Sequence, residues 1–239
     1  MSEHPTRLLV TLASPALFTG PSQTGTNADT DIVTDSHGLP QLPRHRLNAR
    51  LREGAVLAAR SEHTDHAAAH VLTDAAVDLF GSKAGHELRN LRVGHARLPE
   101  SVRAAVAWAM RQRGGSIPER LRLARAVTEA YTGYESGTEV DADGAPVDGR
   151  LRTNRALRSG LRLEAELRWA VTPTEGYVRF LARAVLATTT AGARVTRGRG
   201  RLSVALAPPG GSDPEQAHAH TVRLAGFTPA ADTPKGEGR

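Results

Sequence analysis

The clearest periodic pattern in the chain is the alternation of apolar and charged residues in the stretch SGLRLEAELRWAV, residues 159–171. Every second residue is apolar at Leu161, Leu163, Ala165, Leu167 and Trp169. The residues between them are all Arg or Glu. Successive side chains of a β-strand point to opposite faces of a sheet, so this pattern predicts a strand with one buried face.

Other stretches predict further strands and helices. Residues 7–18, 86–98 and 202–206 are rich in Leu and Val, which is typical of strands. Apolar residues recur at helical spacing in residues 47–60, 63–81, 99–113, 118–131 and 175–187. In the first of these helices, arginines separate the apolar positions, which predicts a basic helix face.

Two long polar loops and a tail separate or follow these elements. Residues 20–38 are rich in Gly, Asp and Thr, and residues 133–150 are rich in Gly and Asp. Long loops in compact domains are often functional. Residues 208–239 are dominated by Pro, Gly, Ser and Asp, which predicts a largely flexible C-terminal tail. The order of strands and helices predicts an α+β fold in residues 1–207, a single domain whose antiparallel sheet has helices on one face.

The charge of the chain indicates a polyanionic partner. Lys and Arg number 31 against 25 Asp and Glu, a formal net charge of +6, and the only lysines are Lys83 and Lys235. Arginine binds phosphate through a planar, bidentate fork, so the bias suits nucleic acid. A GC-rich genome would give the same bias, so the positions of the arginines matter more than their number. Aromatic residues make up 4% of the chain, which favours a grip on the backbone over stacking on every base.

Composition also excludes several classes of protein. The chain has no cysteine, so disulfides and thiolate metal sites are excluded and a reducing cytosol is compatible. It has no run of about 18 apolar residues that would span a membrane. The stretch MSEHPTRLLVTL does not resemble a secretory signal. These features predict a soluble cytoplasmic protein without a membrane partner.

A glycine- and arginine-rich loop at residues 192–201 is the first candidate site. Glycines let backbone amides approach phosphate oxygens, and interleaved guanidinium groups neutralise the phosphates. A flexible turn with solvated arginines is the alternative. The candidate RNA-binding residues of this loop are Arg194, Arg197, Gly198, Arg199, Gly200 and Arg201.

The second candidate site joins an acidic loop to a basic helix in residues 29–60. Carboxylates such as Asp29, Asp31 and Asp35 can hold a divalent metal beside a phosphodiester, or position the attacking hydroxyl or water. Ordinary loop solubility is the alternative for each of them, and a solvated face is the alternative for the helix. The candidate RNA-binding residues of the helix are Arg44, His45, Arg46, Arg50 and Arg52.

A histidine cluster is the third candidate. His63, His66 and His70 share one helical face beside Asp65 and have a spacing that can bind zinc. Surface histidines on an alanine-rich helix are the commoner outcome. The chain has neither a Walker A loop nor a Gly-x-Ser-x-Gly nucleophile elbow.

Four stretches in the same order resemble the RAMP superfamily of CRISPR-associated proteins. GLPQLPRHRLNARLR, residues 38–52, is similar to the signature Gly-Leu-Pro-x-Ile-Pro-Gly-Ser-Ser-Leu-Lys-Gly-x-Leu-Arg and matches it at Gly38, Leu39, Pro40, Pro43, Leu47, Leu51 and Arg52. The other three are LFGS with the following LRVGHARL, LRTNRALRSGLRLEAEL, and AGARVTRGRGRLSV. The resemblance covers roughly residues 7–206.

The resemblance implies a modified ferredoxin-like (RRM-like) fold with long inserted loops and a role in antiviral defence. Backbone subunits of type III effectors are ribonucleoprotein components that stack along a CRISPR RNA and insert a hairpin thumb between bases. The implied partners are CRISPR RNA, target RNA, other RAMP subunits and further copies of the chain. The thumb corresponds to residues 133–150 or to the hairpin of Arg152 and Arg155. Some such subunits are endoribonucleases that cut target RNA with Mg²⁺ or another divalent cation. The resemblance places their aspartate at Asp31 or Asp29.

The chain departs from the signature where Arg44, His45 and Arg46 replace Gly-Ser-Ser and Asn48 replaces Lys. Either arginine side chains replace the backbone amides as ligands of the guide phosphates, or this chain has lost that contact. Three alternatives stay open. They are a binding or capping subunit without catalysis, a metal-independent guide-processing endoribonuclease using His37 or His45, and an RNA-binding protein unconnected with CRISPR.

Overall fold

The computed structural model describes residues 4–20, 31–62, 75–81, 89–113, 115–137, 143 and 152–227. The strands are β1 (Arg7–Leu12), β2 (Thr19–Gly20), β3 (Asp31–Ile32), β4 (Gln41–Leu42), β5 (Leu91–Val93), β6 (Ala96–Arg97), β7 (Thr132–Gly137), β8 (Arg152–Leu157), β9 (Arg162–Trp169) and β10 (Leu202–Leu206). The helices are α1 (Arg44–Glu62), α2 (described over residues 75–80), α3 (Glu100–Arg113), α4 (Ile117–Tyr131), α5 (Glu175–Ala187) and α6 (Pro214–Leu224).

The main sheet has six strands in the order β10-β1-β9-β6-β4, and β5 also pairs with β9. Every pair in this sheet is antiparallel. Strand β1 lies between β9 and β10, so that Val10 is opposite both Leu163 and Val204. Helix α1 connects β4 to β5 through α2, and α5 connects β9 to β10. The predicted α+β fold with an antiparallel sheet is confirmed.

The alternation in β9 has the predicted consequence. Leu163, Ala165 and Leu167 are at most 2% exposed and belong to one core that also contains residues of α1 and α5. The charged residues between them lie on the opposite face of the sheet, which we call the open face. A period-two pattern therefore divides this strand between the core and the open face.

Helix α1 approaches α5 closely because Gly54 lies at their contact. A Cβ atom at Gly54 would overlap the carbonyl oxygen of Ala184 and the Oγ1 atom of Thr188. The Thr188 hydroxyl donates a hydrogen bond to that carbonyl at 2.8 Å, so it is held against the helix. This close packing fixes where the amino end of α1 lies relative to the sheet.

The predicted loop at residues 133–150 is in part a hairpin strand. Strand β7 pairs with β8 from Thr132 opposite Leu157 to Gly137 opposite Arg152. Residues 138–142 and 144–150 lie outside the described part of the chain. The prediction missed β7 because its sequence, TGYESG, is polar and contains two glycines, and polar glycine-rich stretches usually form turns.

The predicted tail contains a folded helix, which corrects the prediction for residues 214–224. The Asp213 carboxylate caps α6 by accepting a hydrogen bond from the backbone N–H of Gln216 at 2.9 Å. The Thr221 hydroxyl accepts the N–H of Leu206 at 2.8 Å, a donor on the edge strand β10. Ala217 packs against Leu9 and neighbouring alanines of the sheet. Helix α6 therefore covers an otherwise unpaired strand edge. Residues 228–239 lie outside the described chain, and the boundary at residue 207 stays a prediction.

Candidate nucleic-acid interface

The amino end of α1 exposes cationic side chains above a buried apolar face. Leu47 and Leu51 are fully buried at helical spacing, so the residues that precede them turn outward. Arg44 and His45 are exposed, and Arg46 is half-buried. Among the described residues, no carboxylate forms an ion pair with these three side chains. The structure brings these three predicted residues together on one surface.

Further along α1, two other predicted residues contact the protein. The Arg50 guanidinium pairs with the Glu53 carboxylate at 2.7 Å. The Arg52 Nη1 atom lies 3.5 Å from the carbonyl oxygen of Gly81. Neither contact is buried, but a phosphate would have to replace each of them in order to bind Arg50 or Arg52. The unpaired cations of this surface are therefore concentrated in the first turn of α1.

The turn before α1 uses one of the predicted acids as a structural group. The Asp35 carboxylate accepts hydrogen bonds from the backbone N–H groups of His37 at 2.8 Å and Leu39 at 3.0 Å. Gly38 between them has a positive φ of 80°. The Asp35 side chain is committed to holding this turn, as Asp often is in loops.

A histidine that the sequence prediction missed lies beside the first turn of α1. The Nδ1 atom of His95 accepts the backbone N–H of Arg44 at 3.4 Å. Partial burial lowers the pKa of His95, and the charges of Arg97, Arg44 and His45 lower it further. The guanidinium groups of Arg44 and Arg97 beside His95 give this part of the surface a positive potential. The alternation in LRVGHARL is the signal that places Arg92 and Arg97 on the exposed side of their strands.

The Gly/Arg loop has a different geometry from the predicted one. The N–H of Gly200 donates to the carbonyl of Pro15 at 2.8 Å, and the N–H of Gly198 donates to the carbonyl of Val195 at 3.0 Å. These two amides are occupied by the fold, so they are not free donors for phosphate. The Arg199 guanidinium pairs with the Glu135 carboxylate of β7. The exposed arginines of the loop are Arg197 and Arg201, with Arg194 half-buried.

The hairpin arginines are separated by burial. Arg152 is exposed and lies opposite Gly137, in the last residue pair before the connection between β7 and β8. Arg155, the other predicted RNA-binding residue of the hairpin, is only 3% exposed. Its Nη1 atom lies 3.6 Å from Oδ1 of Asp31, and its Nη2 atom donates to the Tyr134 hydroxyl at 2.5 Å. The pair Asp31–Arg155 thus joins the β2–β3 and β7–β8 ribbons.

The fold holds one oxygen of the Asp31 carboxylate, while the buried Oδ2 atom has no hydrogen-bond partner among the described residues. Asp31 is fully buried, and its Oδ1 atom accepts the backbone N–H of Ile32 at 2.8 Å in addition to facing Arg155. Within the described ranges, no cluster of three or more His, Cys, Asp or Glu residues can hold a metal ion. A guanidinium neighbour also repels a cation. Asp29 and the histidines His63, His66 and His70 lie outside the described residues.

Comparison with known proteins identifies the fold. No protein-family model matches the chain, and no curated protein matches it. The fold is similar to a chain in the cryo-EM structure of the type III-B Cmr-beta bound to cognate target RNA, with a TM-score of 0.59, 9% identity, and coverage of 84% of this chain and 96% of that chain. A chain of the type III-B Cmr-beta in its apo state gives a TM-score of 0.60 with the same identity and coverage. At 9% identity, this likeness is one of fold. Across the parts of the chain that the structure describes, no helix is long and apolar enough to cross a membrane.

Proposed function

We propose that the chain is a guide-RNA-binding backbone subunit of a type III-like CRISPR effector, with a modified ferredoxin-like fold. The strand order β10-β1-β9-β6-β4, with α1 and α5 as the connections on the core side, supports this fold. The likeness to chains of type III-B Cmr-beta structures supports membership in such a complex. The proposed partners are CRISPR RNA, target RNA paired to it, other CRISPR-associated subunits and further copies of the chain.

The observation that carries the RNA-binding role is the unpaired cationic first turn of α1. Arg44 and Arg46 present guanidinium groups where the partial positive charge of the helix amino end also lies. Guanidinium groups form bidentate, charge-assisted hydrogen bonds with phosphate oxygens. In this proposal, side chains replace the backbone amides that the Gly-Ser-Ser of the family signature would supply.

The Gly/Arg loop and the hairpin extend the proposed contact surface. Arg197 and Arg201 contact phosphates through their side chains, since the amides of Gly198 and Gly200 are occupied. Arg152, at the exposed end of the hairpin, is the arginine of the proposed thumb. Arg155 is left out of this surface because it is buried against Asp31.

The subunit could cleave target RNA or only bind RNA, and the Asp31–Arg155 ion pair favours a subunit that only binds RNA. Cleavage of target RNA with Mg²⁺ would need Asp29, or an Asp31 released from Arg155, together with ligands outside the described residues. The chain's own residues therefore support binding and positioning of RNA in this proposal. Cleavage is an additional activity that requires its own test.

Replacing Arg44 and Arg46 by Gln is expected to weaken RNA binding and its dependence on salt. Each phosphate contact to a single strand contributes about 0.7 to the slope of log K against log salt, so losing two contacts should make the slope shallower by about 1.4. Fluorescence anisotropy with labelled single-stranded RNA measures both quantities across a salt series.

The matched control removes two arginines from the helical layer instead. Arg179 and Arg223 are exposed on α5 and α6, and Arg179→Gln/Arg223→Gln changes the net charge by the same amount. The control should keep the slope of the unmodified protein. If the two double variants have the same slope of log K against log salt, binding depends on net charge alone and the first turn of α1 is not the RNA-binding site.

A further inference from the structure

A groove of about 960 Å³ runs along the open face of the sheet, from the first turn of α1 across β5, β6 and β9. Its wall contains two glutamates, Glu164 and Glu166, together with His95. Arginines dominate the lining, with six of them: Arg7, Arg44, Arg92, Arg97, Arg103 and Arg168. Only Arg44 of these belongs to the surface described above.

The acids of the groove are already paired. Glu164 lies 3.4 Å from the Arg7 guanidinium. Glu166 forms two hydrogen bonds with Arg168, at 2.7 and 2.9 Å, which also lower the pKa of Glu166. The cations Arg44, Arg92 and Arg97 are exposed and have no carboxylate partner among the described residues. The groove thus has an excess of positive charge that the chain itself does not neutralise.

The register of the sheet places Arg92 and Arg97 beside charged residues of β9 that already have partners. Arg92 of β5 is directly opposite Arg168, which is bonded to Glu166. Arg97 of β6 is directly opposite Glu164, which pairs with Arg7. An anion held between the strands would supply the counter-charge that Arg92 and Arg97 do not have among the described residues.

We propose that this groove binds the sugar-phosphate backbone of single-stranded RNA, with Arg92 and Arg97 as the principal phosphate contacts. The groove is continuous with the first turn of α1 through Arg44, so one strand can pass from that turn onto the sheet. The described residues of the lining include no Phe, Tyr or Trp, so the contact is with phosphates and does not select bases. That the bound RNA strand is a guide RNA rests on the function proposed above. The contact between the groove and phosphates does not depend on that function.

The test compares Arg92→Gln/Arg97→Gln with the unmodified protein, using a labelled oligouridylate as the probe. Two lost phosphate contacts should make the salt slope shallower by about 1.4 and weaken binding at low salt by on the order of tenfold. Arg92→Lys/Arg97→Lys keeps both charges and should keep most of the slope. Arg179→Gln/Arg223→Gln is the control for net charge. Circular dichroism melting checks that each variant is folded, as expected for exposed side chains.

The outcomes separate this inference from the function proposed above. If Arg44→Gln/Arg46→Gln weakens binding but Arg92→Gln/Arg97→Gln keeps the full slope, the groove is not a phosphate site and the α1 surface stands. If the unmodified protein does not bind oligouridylate at any salt concentration, both proposals fail. Polyglutamate serves as a competing probe. If it displaces the oligouridylate, and if Arg92→Gln/Arg97→Gln weakens polyglutamate binding more than oligouridylate binding, the groove binds an acidic protein segment. That result would overturn the assignment to RNA.

Discussion

Replacing Asp31 by Asn is expected to lower the free energy of unfolding by roughly 3–5 kcal/mol, because it removes the negative charge that faces the buried Arg155 guanidinium. Asn keeps the size of the side chain, so the loss comes from the charge and not from a cavity. Arg155 is 3% exposed, so water does not screen its charge in the folded protein. Urea denaturation followed by circular dichroism measures the change.

Two controls make this prediction specific. Asp35→Asn makes the same chemical change four residues away, but Asn retains the oxygen that accepts the N–H groups of His37 and Leu39, so its effect should stay near 0.5 kcal/mol or less, as for most surface changes. The double variant Asp31→Asn/Arg155→Met removes both charges. It should be more stable than the sum of the single changes implies, by about 1 kcal/mol or more. An Asp31→Asn protein as stable as Asp35→Asn would contradict the ion pair.

This stability effect determines how a cleavage experiment must be interpreted. Loss of Mg²⁺-dependent target cleavage in Asp31→Asn would have two explanations, a missing metal ligand or a loosened fold. Only an assay at a temperature where the variant is fully folded separates them. Asp29→Asn carries no such complication from a described contact.

Replacing Gly38 by Ala is expected to destabilise the protein by about 2–4 kcal/mol, the sum of the positive-φ cost and the cost of overpacking. Gly38 has a φ of 80°, which L side chains rarely adopt. A Cβ atom would overlap the carbonyl oxygen of Ala124 in α4 and lie 2.9 Å from Oγ1 of Thr128. The Thr128 hydroxyl also donates to the Gly38 carbonyl at 2.9 Å, so a shift of the turn would break that bond.

Gly160→Ala is the matched control for this prediction. Gly160 has nearly the same φ, 81°, but no atom lies within 4 Å of its added Cβ. Its substitution should cost only the conformational part, about 1–2 kcal/mol. The difference in urea midpoint between the two variants therefore measures the contact between the turn and α4. Equal losses would mean that α4 does not pack on this turn.

The sequence predicted the elements whose signal is local. The alternation in β9 and the spacing of Leu47 and Leu51 in α1 each follow from burying one face of a regular element. The first turn of α1 is exposed for the same reason, because its residues precede the first buried leucine. These features determined the α+β class and the most cationic part of the candidate site.

The rest depends on contacts between residues far apart in the chain. Asp31 and Arg155 are separated by more than a hundred residues, and no local pattern shows that they meet. The burial of Arg155 depends on which face of the β7–β8 hairpin packs inward. The groove on the open face appears only when Arg92 and Arg168 are placed side by side by the pairing of β5 with β9. Helix α6 was missed because a short alanine- and histidine-containing stretch after prolines and glycines resembles a tail by composition.

The proposed binding of guide RNA is tested most directly by identifying any RNA that co-purifies with the protein. The protein would be purified with its natural partners from cells that express a CRISPR array, and the bound RNA would be sequenced. We expect RNA with CRISPR repeat sequence, retained at low salt and reduced in amount with Arg44→Gln/Arg46→Gln. Protein without RNA, or RNA without repeat sequence, would contradict it.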